Sequence, residues 1–155
     1  MQGSINILKN VEPFTGSPET LINELYISSG IRTWQAGQTI RTEQSEDDEI
    51  FLVVEGEVRS EIVLCNAYQE LGHSIVKPGS FLGLYHFIEA GPHPVTMTAQ
   101  TDVTAMVWQG KDFRRIIECD PASSYQTALF VARQLYRQSQ QLNTYLLDNV
   151  CWGLP

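Results

Sequence analysis

The sequence has few basic residues and few cysteines. Ten Lys and Arg residues stand against 18 Asp and Glu residues in 155 positions, which gives a formal net charge of -8. A field of that sign repels phosphate backbones at long range, so we expect this chain not to bind nucleic acid by itself. The three cysteines, Cys65, Cys119 and Cys151, have no C-x-x-C spacing, which argues against an iron–sulfur cluster. We expect reduced, buried thiols.

Long hydrophobic runs are missing as well. The longest apolar stretches, such as Ile50 to Val54, are far shorter than the roughly 20 residues that cross a bilayer. The N-terminus lacks the basic start and the apolar run of a signal peptide. A hydrophobic content of 43% and a charged content of 18% predict one packed domain. We therefore expect a soluble, cytoplasmic protein with no membrane partner.

Motifs of enzymes and metal sites are also absent. The sequence has no Gly-x-Ser-x-Gly elbow, and the segment Gly79 to Gly83 lacks the Lys of a phosphate-binding loop. The only histidines, His73, His86 and His93, lack the His-x-His grouping of cupin metal sites. We expect no catalytic activity, no metal and no cofactor. For each histidine we expect a surface position or a hydrogen-bonded structural role.

The middle of the chain, from Ile31 to Trp108, consists of short apolar runs separated by turn residues, which is typical of an all-β sandwich or barrel. We predict seven strands: Arg32 to Gln35, Gln38 to Arg41, Ile50 to Glu55, Val58 to Leu64, Glu70 to Val76, Val95 to Ala99 and Thr104 to Trp108. Glu55-Gly56-Glu57 predicts a tight hairpin, and Lys77-Pro78-Gly79-Ser80 a second turn. The segment Phe81 to Glu89 predicts a loop with a short helix.

An acidic cluster precedes the most apolar strand and consists of Glu43, Glu46, Asp47, Asp48 and Glu49. Runs of charge mostly stay in water, so we expect a solvated loop. A site for a cation or a partner is the alternative.

Three segments have helical patterns. Ser17-Pro18-Glu19 is a helix start in which Ser17 can cap the first turn, and it predicts a short helix over Glu19 to Ser28. Lys111 to Glu118 predicts a brief helix. The segment from Ala122 to Asp148 contains neither glycine nor proline, which predicts a helix of more than six turns.

The long helix carries a heptad seam with polar interruptions, formed by Ala128, Ala132, Leu135, Ser139, Leu142, Leu146 and Asn149. The seam can be buried in two ways, either against the β domain of the same chain or against the helix of a twofold mate. The pattern alone does not decide between them. In the second case the dimer interface would contain Ala132, Leu135, Leu142 and Leu146.

The motifs together resemble the effector domain of the Crp/Fnr family of bacterial transcription regulators, which is related to cyclic nucleotide-binding domains. The resemblance rests on "WQAGQTI", "DEIFLVVEGEVR", "LGHSIVKPGSFLGL" and "TAQTDVTAMVWQGKDFRRII", followed by "DP" and the long helix. It implies a mainly β fold, a double-stranded β-helix (a cupin-like jelly roll), with a short N-terminal helix and a long C-terminal dimerisation helix.

The resemblance also implies a domain organisation. Residues 1–121 would form the β-roll sensor with its N-terminal helix, and residues 122–150 the dimerisation helix. In the family a C-terminal winged helix-turn-helix reads DNA, and Leu147-Asp148 resembles the hinge before it. We expect that domain to be absent from this chain, so that DNA would be contacted only through a domain not present here.

The family holds its effector with a phosphate-binding cassette, here Gly83 to Val95. Gly83 matches the family's glycine, whereas Leu84 stands where cyclic nucleotide binders have a ribose-binding glutamate. His93, or Pro94 if the loop is shifted, stands at the position of the phosphate-binding arginine, and Val95 at that of the following alanine. The resemblance therefore implies an altered cassette.

Between Lys77 and Lys111 there is no Arg or Lys at all. A buried phosphate without a guanidinium partner is poorly compensated, so we expect the cassette not to bind cyclic AMP. Gln138 and Ser139 align with helix positions that touch the nucleobase in some family members. We place the effector pocket between the cassette, with Tyr85 in its lining, and these two residues. Such a pocket suits an uncharged or aromatic ligand, or is closed into core.

Two functions follow as hypotheses. The first is a ligand-sensing regulatory domain of a Crp/Fnr-like transcription regulator, homodimeric, with an unknown small-molecule effector. The alternative is a cupin-like metal-binding protein or metalloenzyme, which requires that the fold bring His73, His86 and His93 together.

Overall fold

The computed structural model describes residues 2–63, 70–89 and 91–150. Eight strands and four α-helices lie in these ranges, together with one 3₁₀ turn at Leu84–Phe87. The strands are β1 Gly30–Trp34, β2 Thr39–Arg41, β3 Glu49–Glu55, β4 Val58–Val63, β5 Glu70–Val76, β6 Phe81–Leu82, β7 Thr96–Ala99 and β8 Val103–Gln109. The helices are α1 Gln2–Asn10, α2 Glu19–Ser28, α3 Gly110–Glu118 and α4 Pro121–Val150. No helix in the described part of the chain is long and apolar enough to cross a membrane.

The strands form two four-stranded antiparallel sheets. The first has the order β1-β8-β3-β6 and the second the order β2-β7-β4-β5. In the first sheet β3 and β8 run side by side, with Ile50 opposite Trp108 and Leu52 opposite Met106. The result is a β-barrel-like arrangement of two sheets with helices on one side. The described helices nevertheless contain more residues than the described strands, so the expectation of a mainly β fold holds for residues 30–109 and not for the described chain as a whole.

The seven predicted strands are all present, with ends shifted by no more than a few residues. The short strand β6 lies inside the segment predicted as a loop, and α1 was not predicted, because the first ten residues carry no capping or proline signal. The prediction of a helix over Glu19 to Ser28 is confirmed. Ser17, however, makes no side-chain cap there, and its hydroxyl instead accepts a hydrogen bond from Ser123 at 3.2 Å.

The turn at Gly56 does not form a hairpin. It joins β3 of the first sheet to β4 of the second, so the chain crosses between sheets at this point. Gly56 has a φ of 83°, and a Cβ atom there would lie 2.1 Å from the carbonyl oxygen of Asp102. The amide of Glu57 donates to the Thr101 hydroxyl in the neighbouring crossing. The hairpin prediction is wrong because a turn signal is local, whereas the sheet that the next strand joins is decided by tertiary packing. The turn at Lys77 to Ser80 is confirmed by the hydrogen bond from the Ser80 amide to the Lys77 carbonyl.

Strand β3 is buried on both faces. Ile50, Leu52 and Val54 belong to the cluster that includes the helices. Phe51 and Val53 belong to the cluster between the two sheets. Since side chains alternate along a strand, β3 contributes to both cores at once.

The helices α1, α2 and α3 pack on the outer face of the first sheet. Leu8, Leu25 and Phe113 are completely or almost completely excluded from solvent in this cluster. The indole nitrogen of Trp108 donates to the Leu25 carbonyl at 2.7 Å, which satisfies a buried donor and ties α2 to β8. The N-terminal helices are therefore part of the folded core.

Helix α4 has two different halves. Up to Val131 it packs against the body of the domain, with Ser123, Thr127 and Val131 buried. From Ala132 to Leu147 every residue whose side chain the structure describes is exposed. Leu135 is 48% exposed and Leu142 47% exposed. Of the described seam residues, Ala128 packs against the body of the domain, whereas the seam from Ala132 to Leu146 does not.

We predict that Leu25→Ala lowers the free energy of unfolding by about 2–5 kcal/mol, because it leaves a cavity in a site without solvent access. Ile27→Ala on the same helix is the matched control, since Ile27 is 82% exposed, and should change the free energy by no more than about 0.5 kcal/mol. Urea denaturation of both variants measures the difference. Equal effects would contradict the docking of α2 described above.

Candidate ligand-binding site

The cassette begins where β6 ends at Gly83. This residue has a φ of 75°, in the left-handed region, and turns the chain into the 3₁₀ turn Leu84–Phe87. A Cβ atom at Gly83 would lie 2.7 Å from Nη1 of Arg41 and 2.8 Å from the carbonyl oxygen of Glu49. Only glycine has both this conformation and this clearance. The structure therefore places an arginine directly against the first residue of the cassette.

Arg41 is the cation that the sequence analysis did not find. It comes from β2, outside the segment between Lys77 and Lys111 that contains no basic residue. Its side chain is 1% exposed. Its guanidinium stacks on the ring of Phe51 at 4.6 Å, and Nη2 donates to the carbonyl of Glu49 at 2.7 Å. The expectation of a site without a guanidinium therefore does not hold. Alternation along Thr39-Ile40-Arg41 predicts that Ile40 and not Arg41 faces inward, and the pairing of β2 with β7 shifts its register between Thr39 and Arg41, so the sequence pattern carries no signal for this residue.

The acidic cluster contributes Asp47 to this site. Nη2 of Arg41 donates to Oδ1 of Asp47, forming an ion pair. The other contacts of the Asp47 carboxylate are longer, 3.3 Å from the Ser45 hydroxyl, 3.2 Å from the Glu49 amide and 3.3 Å from Nε2 of His93. The loop is thus not simply solvated, because one of its carboxylates neutralises a buried cation.

His93 is fully buried at the centre of the cassette. Its Nε2 lies 2.8 Å from the carbonyl oxygen of Asp47, which can only accept, so we assign the proton to Nε2. Nδ1 then accepts from the hydroxyl of Tyr85 and lies 3.3 Å from Nε2 of His86. His86 is buried as well, and its Nδ1 has no hydrogen-bond partner among the described residues.

The backbone on either side of His93 is tied to the acidic loop. The amide of Gln44 donates to the His93 carbonyl at 2.9 Å, and the amide of His93 donates to the Ser45 carbonyl at 3.0 Å. These bonds fix the loop over the cassette independently of any side chain. The loop and the cassette therefore form one hydrogen-bonded unit.

Burial governs the pKa values of this cluster. Desolvation lowers the pKa of His93, and the nearby charge of Arg41 lowers it further. Desolvation also lowers the pKa of His86, with additional contributions from His93 and Arg41. Burial raises the pKa of Tyr85 to about 12. Burial acts to raise the pKa of Asp47, but the charges of Arg41 and His93 outweigh it and the pKa is lowered. At neutral pH the two histidines are therefore uncharged, and His93 cannot replace a cationic arginine.

The remaining predicted site residues fall into two groups. Leu84 is buried, Tyr85 and Val95 are half-buried, and Pro94 is exposed at the edge of the cassette. Gln138 and Ser139 are exposed on the free half of α4. Ser139 lies about 12 Å along the helix axis beyond Val131, the last residue packed on the body. The described residues of one chain therefore do not enclose a pocket between the cassette and these two positions.

A surface cavity of about 470 Å³ lies on the other side of His86. It is lined by Asp48, His86 and residues of α3, among them Lys111 and Arg114. The Arg114 guanidinium donates to the His86 carbonyl at 2.7 Å, which links this helix to the cassette. Sequence reasoning did not indicate this cavity.

The metal-site hypothesis requires His73, His86 and His93 to lie together. The rings of His86 and His93 do lie together, with centroids 4.6 Å apart. The side chain of His73 lies outside the described part of the structure. Among the described residues there is no group of three or more His, Cys, Asp or Glu side chains that could hold a metal ion. Cys119 is a free, exposed thiol, contrary to the expectation of burial; Cys65 and Cys151 lie outside the described residues.

Residues 31–120 match the family of cyclic nucleotide-binding domains. The match covers more than half of the sequence and includes both sheets, the cassette and α3. The chain therefore belongs to the cyclic nucleotide-binding domain family.

Solved structures of Crp-type regulators and of other cyclic nucleotide-binding domains share this fold. The N-terminal domain of a transcriptional regulator from Streptomyces coelicolor superposes with a TM-score of 0.69 at 23% identity, over 86% of this chain and 95% of that one. The catabolite activator protein of Thermus thermophilus gives 0.74 at 19% identity, over 91% of this chain and 71% of that one. The regulatory domain of Toxoplasma gondii PKA, solved with cAMP, gives 0.72 at 14% identity, over 84% and 49%. Comparison with curated protein sequences gives no match.

We predict that the free energy of unfolding falls as the pH is lowered from about 7.5 to about 5.5. The pKa values of His86 and His93 are lowered in the folded state, whereas the unfolded chain titrates near the ordinary value of about 6.5. Below that value the unfolded state binds more protons, so acidification favours unfolding. Urea denaturation as a function of pH measures the slope.

His86→Leu is the variant that isolates this effect, because it removes one of the two titrations and leaves the carbonyl that accepts from Arg114. The pH dependence of its stability should be weaker than that of the wild type. A wild-type stability that does not change over this pH range would show that the two histidines are not held in their neutral forms.

Proposed function

We propose that this chain is the ligand-sensing regulatory domain of a Crp/Fnr-like transcription regulator, acting in the cytoplasm as a homodimer. Family membership and the shared fold support a regulatory rather than a catalytic role. The observation that carries the proposal is the free half of α4, because a regulatory domain of this kind needs a helix through which two copies meet.

The dimer step rests on the exposed apolar seam. Leu135, Leu142 and Leu146 are each more than 40% exposed and follow one another at spacings of 7 and 4 along the half of α4 whose described side chains are all exposed. An apolar stripe of this length is stabilised by pairing with an equivalent stripe, and a twofold axis supplies one. Ala132 is the first residue of the exposed part of the seam, and its small side chain lets the helices approach closely.

Dimerisation also gives Gln138 and Ser139 a role. One chain leaves these residues in solvent, so they contact an effector only if the paired helices lie across the cassettes. In this arrangement an effector held by the cassette also touches the dimer helix. Ligand binding and the geometry of the helix pair are then coupled, which is the basis of signalling to an attached DNA-binding domain.

We further propose that the two sheets form the double-stranded β-helix implied by the sequence resemblance. Its support is the pair of crossings at Gly56 and at Thr101-Asp102, where consecutive strands pass from one sheet to the other. Such crossings close two sheets around a common interior. The cassette lies at the edge of this interior, beside β3.

The cassette is proposed not to accept a cyclic nucleotide. Leu84 supplies no acceptor for a ribose hydroxyl, and His93 is neutral and fully buried. The guanidinium of Arg41 is already paired with Asp47. Arg41 also lies against Gly83 at the start of the cassette and not at the position of His93, so it does not restore the contact that closes the cassette on a cyclic phosphate.

We predict that Leu135→Arg converts the dimer into a monomer, because it places an unpaired charge in the buried seam. Gln134→Arg adds the same charge at the neighbouring position, which lies away from the seam, and should leave the dimer intact. Sedimentation equilibrium at tens of micromolar compares the two. A monomeric wild-type chain, or equal dissociation by both variants, would refute the dimer.

We predict that titration calorimetry with cyclic AMP or cyclic GMP shows no binding in the low micromolar range. The loss of the family's bidentate arginine at the position of His93 costs about 3 kcal/mol, which corresponds to about a hundredfold in affinity for a cyclic phosphate. A stoichiometric cyclic AMP isotherm that is abolished by His93→Ala or Ser139→Ala would identify the domain as an ordinary nucleotide sensor.

A further inference from the structure

Arg41 is a buried cation whose hydrogen-bonding capacity is only partly used. Its side chain is 1% exposed, and its Nη2 group meets both Asp47 and the Glu49 carbonyl. Nη1 is buried and has no hydrogen-bond partner among the described residues. A buried donor without a partner is unfavourable, and a planar guanidinium is built to bind two oxygens of one anion.

The partner that Arg41 now has is less buried than Arg41 itself. The Asp47 side chain is 38% exposed, so it reaches the guanidinium from the solvent side. Its carboxylate engages Nη2 and leaves Nη1 unpaired. An oxyanion that meets both nitrogens would make the two parallel hydrogen bonds that give arginine its preference for carboxylate and phosphate.

Only a side-chain rotation is needed to release Asp47. The loop backbone is held by the two hydrogen bonds between His93 and residues Gln44 and Ser45, and by the bond from Nε2 of His93 to the Asp47 carbonyl. None of these involves the Asp47 carboxylate. The remaining contacts of that carboxylate, with the Ser45 hydroxyl, the Glu49 amide and Nε2 of His93, are 3.2–3.3 Å long and are replaced by water when it turns outward.

We propose that Asp47 is an internal occupant of an oxyanion-binding site whose cation is Arg41, and that a small carboxylate or a phosphate group takes its place. The proposal rests on the effector-sensing function above and names the chemical class of the effector. The ring of Phe51 lies against the guanidinium and fixes the orientation of its plane. Gly83, which has no Cβ atom, leaves room for Nη1 of Arg41. The rest of such a ligand extends to solvent along the exposed side of Asp47.

Chemical rescue of Asp47→Ala tests this proposal. The variant removes the internal carboxylate, and its melting temperature should be lower than that of the wild type. Added formate, acetate or inorganic phosphate should then restore it in a saturable way, since a ligand that binds only the folded state stabilises it by mass action. The melting temperature in sodium chloride at matched ionic strength is the reference value. The measurements are made at pH 7.5, at which the histidines are neutral.

Glu46→Ala is the matched control. Glu46 is an exposed acid in the same loop, so its removal changes the net charge equally without uncovering Arg41. It should show no anion-specific rise in melting temperature. The wild type should respond only at higher anion concentrations, because Asp47 competes for the guanidinium. The relative effects of acetate and phosphate show which oxyanion is preferred.

A second measurement does not depend on stability. In nitrogen-correlated NMR spectra of Asp47→Ala, the side-chain N–H signals of Arg41 should shift saturably with the same anions, and those of exposed arginines should not. If Asp47→Ala responds to the oxyanions no more than Glu46→Ala does, or if the Arg41 signals do not move, the oxyanion site is refuted. That outcome would refute the oxyanion site without contradicting the proposed dimer. A monomeric wild-type chain would refute the proposed regulatory function without contradicting the oxyanion site.

Discussion

Strand β3 is the element on which the rest of the structure depends, because it is buried on both faces. Ile50, Leu52 and Val54 pack in the core cluster that includes the helices. Phe51 and Val53 pack in the core between the two sheets. The same strand supplies the Glu49 carbonyl that fixes Arg41 and the Phe51 ring on which the guanidinium lies. The packing of β3 into both cores, which stabilises the fold, therefore also determines the position of Arg41 beside the cassette.

The cassette shows how a buried charge shapes its surroundings. A guanidinium in the interior requires a counter-charge and acceptors, and the acidic loop provides the first while the start of β3 provides the second. Desolvation and the charge of Arg41 keep the adjacent histidines neutral. The network of Asp47, His93, Tyr85 and His86 is thus organised around one cation that is distant in sequence from the cassette itself.

Helix α4 is divided between the core and the solvent. Its first half is part of the core, with Val131 as the last buried residue. In its second half, from Ala132 to Leu147, every side chain that the structure describes is exposed. The direction in which this half leaves the body follows from the packing of α3 and α4 rather than from the seam.

The sequence by itself determined the order and approximate extent of seven of the eight described strands, the short helix α2 and the long helix, since turn residues, alternation and the absence of glycine and proline act locally. It also determined the family, and it identified Gly83 and His93 as neighbours in one cassette. It did not determine that Gly56 crosses between sheets, or that Arg41 lies against Gly83, because both depend on which strands meet. Local patterns specify elements, whereas a site assembled from β2, the acidic loop and the cassette exists only after the sheets have packed.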